Sequence, residues 1–215
     1  MSSAAQRVAA AFEAVPRDGF LPRAQLRHRH RDAPLPIGHG QTNSQPTTVR
    51  QMLELLDVQP GDRVLDVGAG SGWTTALLGW LTGPGGAVCG VERVPDLVTF
   101  GAANVAAAGM PWARVEAAVP GELGRPATGP YDRVLVSAQA PVLPQELVDQ
   151  LAPGGVLVIP VAGRMLRVRA AEGGPAIEEH GWYRFVPLVA DPPSDFPAQP
   201  SPAHADDRPG GQRGG

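Results

Sequence analysis

The 215-residue sequence predicts an α/β fold, a doubly wound and mostly parallel sheet with helices on both faces and an antiparallel hairpin at its C-terminal end. Three observations predict it. Short apolar runs alternate with stretches of helical periodicity, as in successive strand–helix–strand units. Several of the runs are apolar throughout rather than alternating, so both of their faces are buried, as in a parallel sheet. The last two extended runs, 164–170 and 182–189, lie too close together for a helical crossover and should pair antiparallel.

The elements follow in order. Residues 2–14 read as a helix that ends before Pro16. Residues 47–57 set Val49, Met52, Leu53 and Leu56 at helical spacing, with Pro46 placed for the first turn. The first strand, 63–68, is closed by glycine, and a helix over 73–82 follows. A strand at 87–92 leads to a helix over 95–108 opened by Pro95. A weak strand near 113–118 precedes a clear one at 131–137, a helix over 144–151 and the apolar strand 155–161. The run 164–170 alternates and should be half exposed, and 182–189 is the final strand. Residues 1–190 are expected to form a single domain, with an N-terminal helix and loop segment at 1–60 and a core at 61–190. Residues 191–215 hold 6 Pro and 4 Gly with little apolar content, and are expected to be a disordered tail.

Composition excludes several chemistries. All 18 basic residues are arginine, so there is no lysine for a Walker A loop, a Schiff base, a pyridoxal-phosphate linkage or a kinase site. Net charge is −3 and the one basic cluster runs from Arg27 to Arg31, which argues against a nucleic-acid partner. Cys89 is the single cysteine and no internal disulfide can form, which suits a reducing compartment. No apolar run reaches membrane-spanning length and no signal peptide is evident. A soluble, cytoplasmic monomer with no membrane partner is expected. His28, His30 and Asp32 lie in an Arg-rich segment and read as solvated rather than metal-binding. Trp73 and Trp80 read as core residues of their helix, and Cys89 as a small buried one.

The first strand runs into Asp66-Val67-Gly68-Ala69-Gly70-Ser71-Gly72 and then a helix, while Glu92 ends the next strand 20 residues past Gly72. Glycines there let a ligand approach the backbone, and a carboxylate at that strand end can accept the hydroxyls of a ribose. The dinucleotide fingerprint fails, because Trp73 or Thr75 occupies the position of its third glycine. An acidic residue, Asp66, inside the turn suits a cationic ligand rather than a pyrophosphate, which favours S-adenosylmethionine. The bland alternative is a plain tight turn with Glu92 solvated. The loop 34–48 offers a second site: Ser44 and Gln45 lie at or before a helix cap, where amide N–H groups and a hydroxyl can receive a carboxylate. From spacing alone, simple capping explains them as well.

These residues bring a family into view. AFEAVPRDGFLP at 11–22, PLPIGHGQTNSQP at 34–46, VLDVGAGSGW at 64–73, GVERVPDLV at 90–98, the stretch from GPYDRVLVS to GGVLVIPV at 129–161 and RFVPL at 184–188 resemble the protein-L-isoaspartate (D-aspartate) O-methyltransferases. The likeness spans roughly 8–190. It implies a Rossmann-like sheet of the class I S-adenosylmethionine-dependent methyltransferase type, with S-adenosylmethionine as cofactor and proteins or peptides bearing isoaspartyl residues as partners. It implies methyl transfer to the isoaspartyl α-carboxyl, after which the ester collapses to a succinimide that reopens partly to aspartate. It further implies that Ser44 contacts the reacting carboxylate within a substrate loop of Thr42, Asn43, Gln45 and Pro46, with His39 nearby. Asp66, Gly68, Gly70, Ser71, Gly72, Glu92 and Gly121 are the expected cofactor residues. The chain departs from the family pattern at Pro120, where an aspartate is usual, at Asn43, where an apolar residue is usual, and in HRHRD at 28–32, which lacks a tyrosine. A carboxyl methyltransferase dedicated to one peptide, and a cofactor-binding protein without catalysis, remain alternative readings.

Overall fold

The computed structural model describes residues 3–189; the tail expected to be disordered at 191–215 lies outside them. Helix α1 (Ala4–Ala14) begins at a reciprocal cap between Ser3 and Gln6. A short hairpin follows, β1 (Leu35–Gly38) with β2 (Gln41–Asn43), and then α2 (Pro46–Leu56), whose buried residues are the four that its periodicity marks. The core alternates β3 (Arg63–Val67), α3 (Trp73–Thr82), β4 (Ala87–Glu92), α4 (Pro95–Ala107), β5 (Ala113–Ala117) and β6 (Tyr131–Val136). It closes with α5 (Gln145–Val148), β7 (Leu151–Val161), β8 (Arg164–Arg169) and β9 (Ala176–Trp182).

The sheet has seven strands in the order β5-β4-β3-β6-β7-β8-β9. The first five are mutually parallel, and β8 pairs antiparallel with both β7 and β9. Alternate residues of the buried strands enter two cores. One joins α1, α2, α3 and Val105 of α4 to Val64, Val88, Val115, Leu135 and Val158. The other joins Leu65, Val91, Val134, Val136 and Leu157 to Leu147 and Val148 of α5.

Three expectations need correction. The final strand is Ala176–Trp182, not 182–189. Nearly all of its residues are exposed, and Ile177 and Trp182 are set apart by Glu178, Glu179 and His180, so no apolar run marks it, whereas 183–189 turns back across the carboxyl ends of the strands. There Gln139 donates to Val186 O and accepts from Leu188 N, each at 2.8 Å. The helix over 144–151 is a four-residue turn, because Leu151 pairs with Tyr131 and draws the chain into β7. Trp80 is 39% exposed rather than core, while Trp73 is buried.

Candidate active site

Chain order reverses between β3 and β6, which lie side by side at the centre of the sheet. Ligands of open α/β sheets bind at the carboxyl ends of strands at such a point. A cavity of about 320 Å³ opens there, walled by the loops that follow β3, β4, β5 and β6, by the segment 186–189 and by Gln41–Ser44. That volume lies within the range of small-molecule sites.

The glycine loop forms the floor through Gly68, Ala69, Gly70 and Ser71, while Gly72, expected among the cofactor residues, does not line the cavity. Gly68, Gly70 and Gly72 all have positive φ, so the chain turns sharply from β3 into α3. The loop is clamped from outside: Asn104 of α4 donates to Ser71 O at 2.9 Å, and a Cβ on Gly72 would fall 2.8 Å from Gly101 O. Glu92 stands beside it, nearly buried, with Oε2 accepting from Gly70 N at 2.9 Å and Oε1 from the amides of Arg93 and Val94 at 2.8 and 2.9 Å. Three of its roughly four acceptor directions are thus used, and one stays open for a ligand hydroxyl. The turn after β5 is closed by Glu122 N donating to Val119 O at 3.0 Å. Pro120 with Gly121 at φ 80° suits its two central positions, and Pro120, Gly121 and Glu122 all face the cavity.

Asp66 is not a wall of the cavity. It is fully buried one layer below, where Oδ2 accepts from the hydroxyls of Thr74 and Thr75 at 2.7 Å each. Its other oxygen has no partner among the described residues. Burial pushes its carboxyl up to about 6, against the two threonine hydrogen bonds. Thr74 does line the cavity, so its side chain stands between the carboxylate and that space. A carboxylate beneath the floor, an open acceptor on Glu92 and apolar walls at Val94, Val119 and Leu123 fit a ligand with a cationic end, a diol and a ring, as S-adenosylmethionine has.

The second wall is the loop read as the substrate segment. Thr42, Asn43 and Ser44 face the cavity, and the Ser44 hydroxyl has no hydrogen-bond partner among the described residues. Gln45, Pro46 and His39 do not line it. Gln45 is the cap residue of α2, and its side chain donates to Asp32 at 2.9 Å. Pro46 is the first residue of the helix. His39 sits in the β1–β2 turn and faces Asp96 at 3.1 Å. The amide end of α2 is not an open anion site, since Asp32 already accepts from Thr47 N at 2.9 Å and from its hydroxyl at 2.8 Å. These hydrogen bonds, with Gln45 first, hold Asp32 below the usual carboxylate range.

Sequence reasoning missed Arg17, which organises this wall. It is 6% exposed and donates to the carbonyls of Arg31, Ala33, Asn43 and Ser44 and to the Asn43 side chain. Burial pushes its guanidinium down to about 10, so it stays charged at neutral pH. A signal was available, because Arg17 follows Val15-Pro16 in the first matched segment, but nothing in the spacing places it 26 residues along the chain at Asn43.

A family model for protein-L-isoaspartate(D-aspartate) O-methyltransferase matches residues 2–192. Among curated relatives, a protein-L-isoaspartate O-methyltransferase of Aeropyrum pernix is 46% identical over 191 residues, covering 86% of this chain and 74% of the relative. That of Methanopyrus kandleri is 42% identical over 190 residues, covering 86% and 84%. Among solved structures, one protein-L-isoaspartate O-methyltransferase shares the fold, with a TM-score of 0.76 at 24% identity over 86% of this chain and 61% of that longer one. A Plasmodium falciparum beta-aspartate methyltransferase, solved in complex with S-adenosyl-L-homocysteine, gives a TM-score of 0.72 at 28% identity over 85% and 90% of the two chains. With a match over nearly the whole described body, the chain belongs to the protein-L-isoaspartate (D-aspartate) O-methyltransferase family.

Proposed function

We propose that this chain transfers the methyl group of S-adenosylmethionine to the α-carboxylate of L-isoaspartyl residues in proteins and peptides. One observation carries the reading: a single cavity is walled on one side by the glycine loop and Glu92 and on the other by Thr42, Asn43 and Ser44. A donor and an acceptor of a methyl group held on those two walls share one enclosed space.

The bound cofactor supplies an electrophilic methyl carbon on a sulfonium. The substrate carboxyl titrates at roughly 3 to 4, so at neutral pH it is already the nucleophile and needs no general base. The protein's work is therefore orientation and exclusion of water. Ser44 donates its free hydroxyl to the substrate carboxylate, and Arg17 holds the Ser44 backbone through its carbonyl at 2.9 Å. Glu92 takes a ribose hydroxyl, while Asp66 and Thr74 favour the cationic end. The 186–189 segment, bridged to Gln139, covers the site. Well-oriented reactants gain up to about 7–11 kcal/mol over free encounter.

The test is a labelled-methyl assay with paired peptides that differ only in an isoaspartyl or aspartyl residue. Transfer to the isoaspartyl member alone is expected. Equal transfer to both, or transfer to neither, overturns the reading.

A further inference from the structure

The hydrogen bonds around Arg17 have a direction. A guanidinium carries donors and no acceptor. Arg17 Nε donates to Asn43 Oδ1 at 2.6 Å, so the Asn43 amide must present its oxygen to Arg17 and its nitrogen to the other side. That nitrogen donates to Ser71 Oγ at 3.0 Å. Ser71 is therefore the acceptor in this contact, and its own proton has no acceptor among the described residues. Asn43 and Ser71 are both buried, at 5% and 2% exposure, and both border the cavity. This hydrogen bond joins two loops from distant parts of the chain, one on each wall of the site.

We propose that Arg17 and Asn43 are positioning residues that fix the Ser71 hydroxyl as a donor into the cavity, aimed at the carboxylate on the amino-acid end of the cofactor. The inference rests on the cofactor reading above. Ser71 lies in the turn that starts α3, where the helix N-terminus also favours negative charge. The opposite charge of that ligand end is served by Asp66 and Thr74. The relay carries the orienting effect of a buried cation, which does not line the cavity, to a neutral O–H at the cavity wall.

Asn43→Asp isolates the direction of the relay from its packing. The new carboxylate keeps the Arg17 partner but offers Ser71 acceptors only, so the Ser71 proton swings to it and away from the cavity. The variant should melt no lower than the wild type without ligand. By calorimetry it should bind S-adenosylhomocysteine about three- to tenfold more weakly, the worth of one hydrogen bond. It should bind 5′-methylthioadenosine, which lacks the amino-acid end, within about twofold of wild type. Ser71→Ala should show the same split between the two ligands. On the Ser71→Ala background, adding Asn43→Asp should change S-adenosylhomocysteine affinity by less than about twofold. A full loss persisting on that background reveals direct repulsion by the new carboxylate and overturns the relay. An Asn43→Asp variant that keeps wild-type affinity, or loses both ligands equally, overturns it too. Should Asn43→Asp fail to fold, Ser71→Ala decides alone, and equal loss of the two ligands counts against the proposal. A wild-type protein that binds neither ligand overturns the cofactor reading itself, and the relay with it.

Discussion

Ser44 and Asp66 show how differently two short polar side chains act at one site. The Ser44 hydroxyl is unpaired within the described protein and faces the cavity, so it is free to meet a carboxylate. Ser44→Ala should lower turnover of an isoaspartyl peptide by roughly 10- to 100-fold, the worth of a hydrogen bond to a charged group. S-adenosylhomocysteine affinity, read by calorimetry, should stay near the wild-type value. Asp66 works through burial. Its folded carboxyl titrates at about 6 against an ordinary 3.8, so between those values the folded chain holds a proton that the unfolded chain has released. Its contribution to stability therefore falls as pH rises through that window, and the cost is complete above it. Without ligand, Asp66→Asn should gain stability over wild type from pH 4 to pH 7, by on the order of 3 kcal/mol, in urea unfolding. A gap that does not change with pH would remove the assigned titration. Gly68 and Glu92 were legible in the sequence because each stands at a strand end, whereas Asp66, read as part of the turn, lies within β3 beneath the cavity. Arg17 was not legible, because its partners are backbone carbonyls, which have no letter in a sequence.

At the scale of elements, α4 and the glycine loop touch backbone to backbone. A Cβ added to Gly101 would lie 2.7 Å from Gly70 O, and neither atom belongs to a side chain that can swing away. Gly101→Ala should cost about 1–3 kcal/mol in urea unfolding and also weaken S-adenosylhomocysteine binding, since the loop must shift. A variant with wild-type stability would mean that α4 moves freely against the loop. The helix expected over 95–108 is present as α4, and its spacing says nothing of the close approach at Gly101. The apolar run 182–189 reads as a strand. Of those residues, 186–189 wall the cavity beside Gln139, while the true edge strand β9 is exposed along nearly its whole length. An apolar run that walls a cavity looks the same in sequence as one in a sheet, although none of residues 182–189 is fully buried.

For the whole molecule, the N-terminal segment is built into the core rather than laid on it. Trp73 Nε1 donates to Val15 O at 3.1 Å, Phe12 meets the Trp73 ring edge-on at 5.3 Å, and Arg133 Nε donates to Asp57 O at 3.2 Å. Segment 1–60 and core 61–190 should therefore unfold together, in one calorimetric transition with matching calorimetric and van't Hoff enthalpies. Two resolved transitions would show separable units. S-adenosylhomocysteine at 100 times its Kd should raise that single transition by about 2.7 kcal/mol worth of stability. The sequence by itself determined the strand–helix alternation from α2 to β6, the glycine loop with its flanking carboxylates and the family, because these follow from local spacing and from residues close together in the chain. Only the tertiary structure decided that Gln45, Pro46 and His39 turn away from the cavity, that Asp66 acts from beneath it, and that Arg17, Asn43 and Ser71 form one line of hydrogen bonds. Those outcomes depend on which distant donors and acceptors meet once the helices have packed, and a buried group takes whichever partner the fold brings within 3 Å.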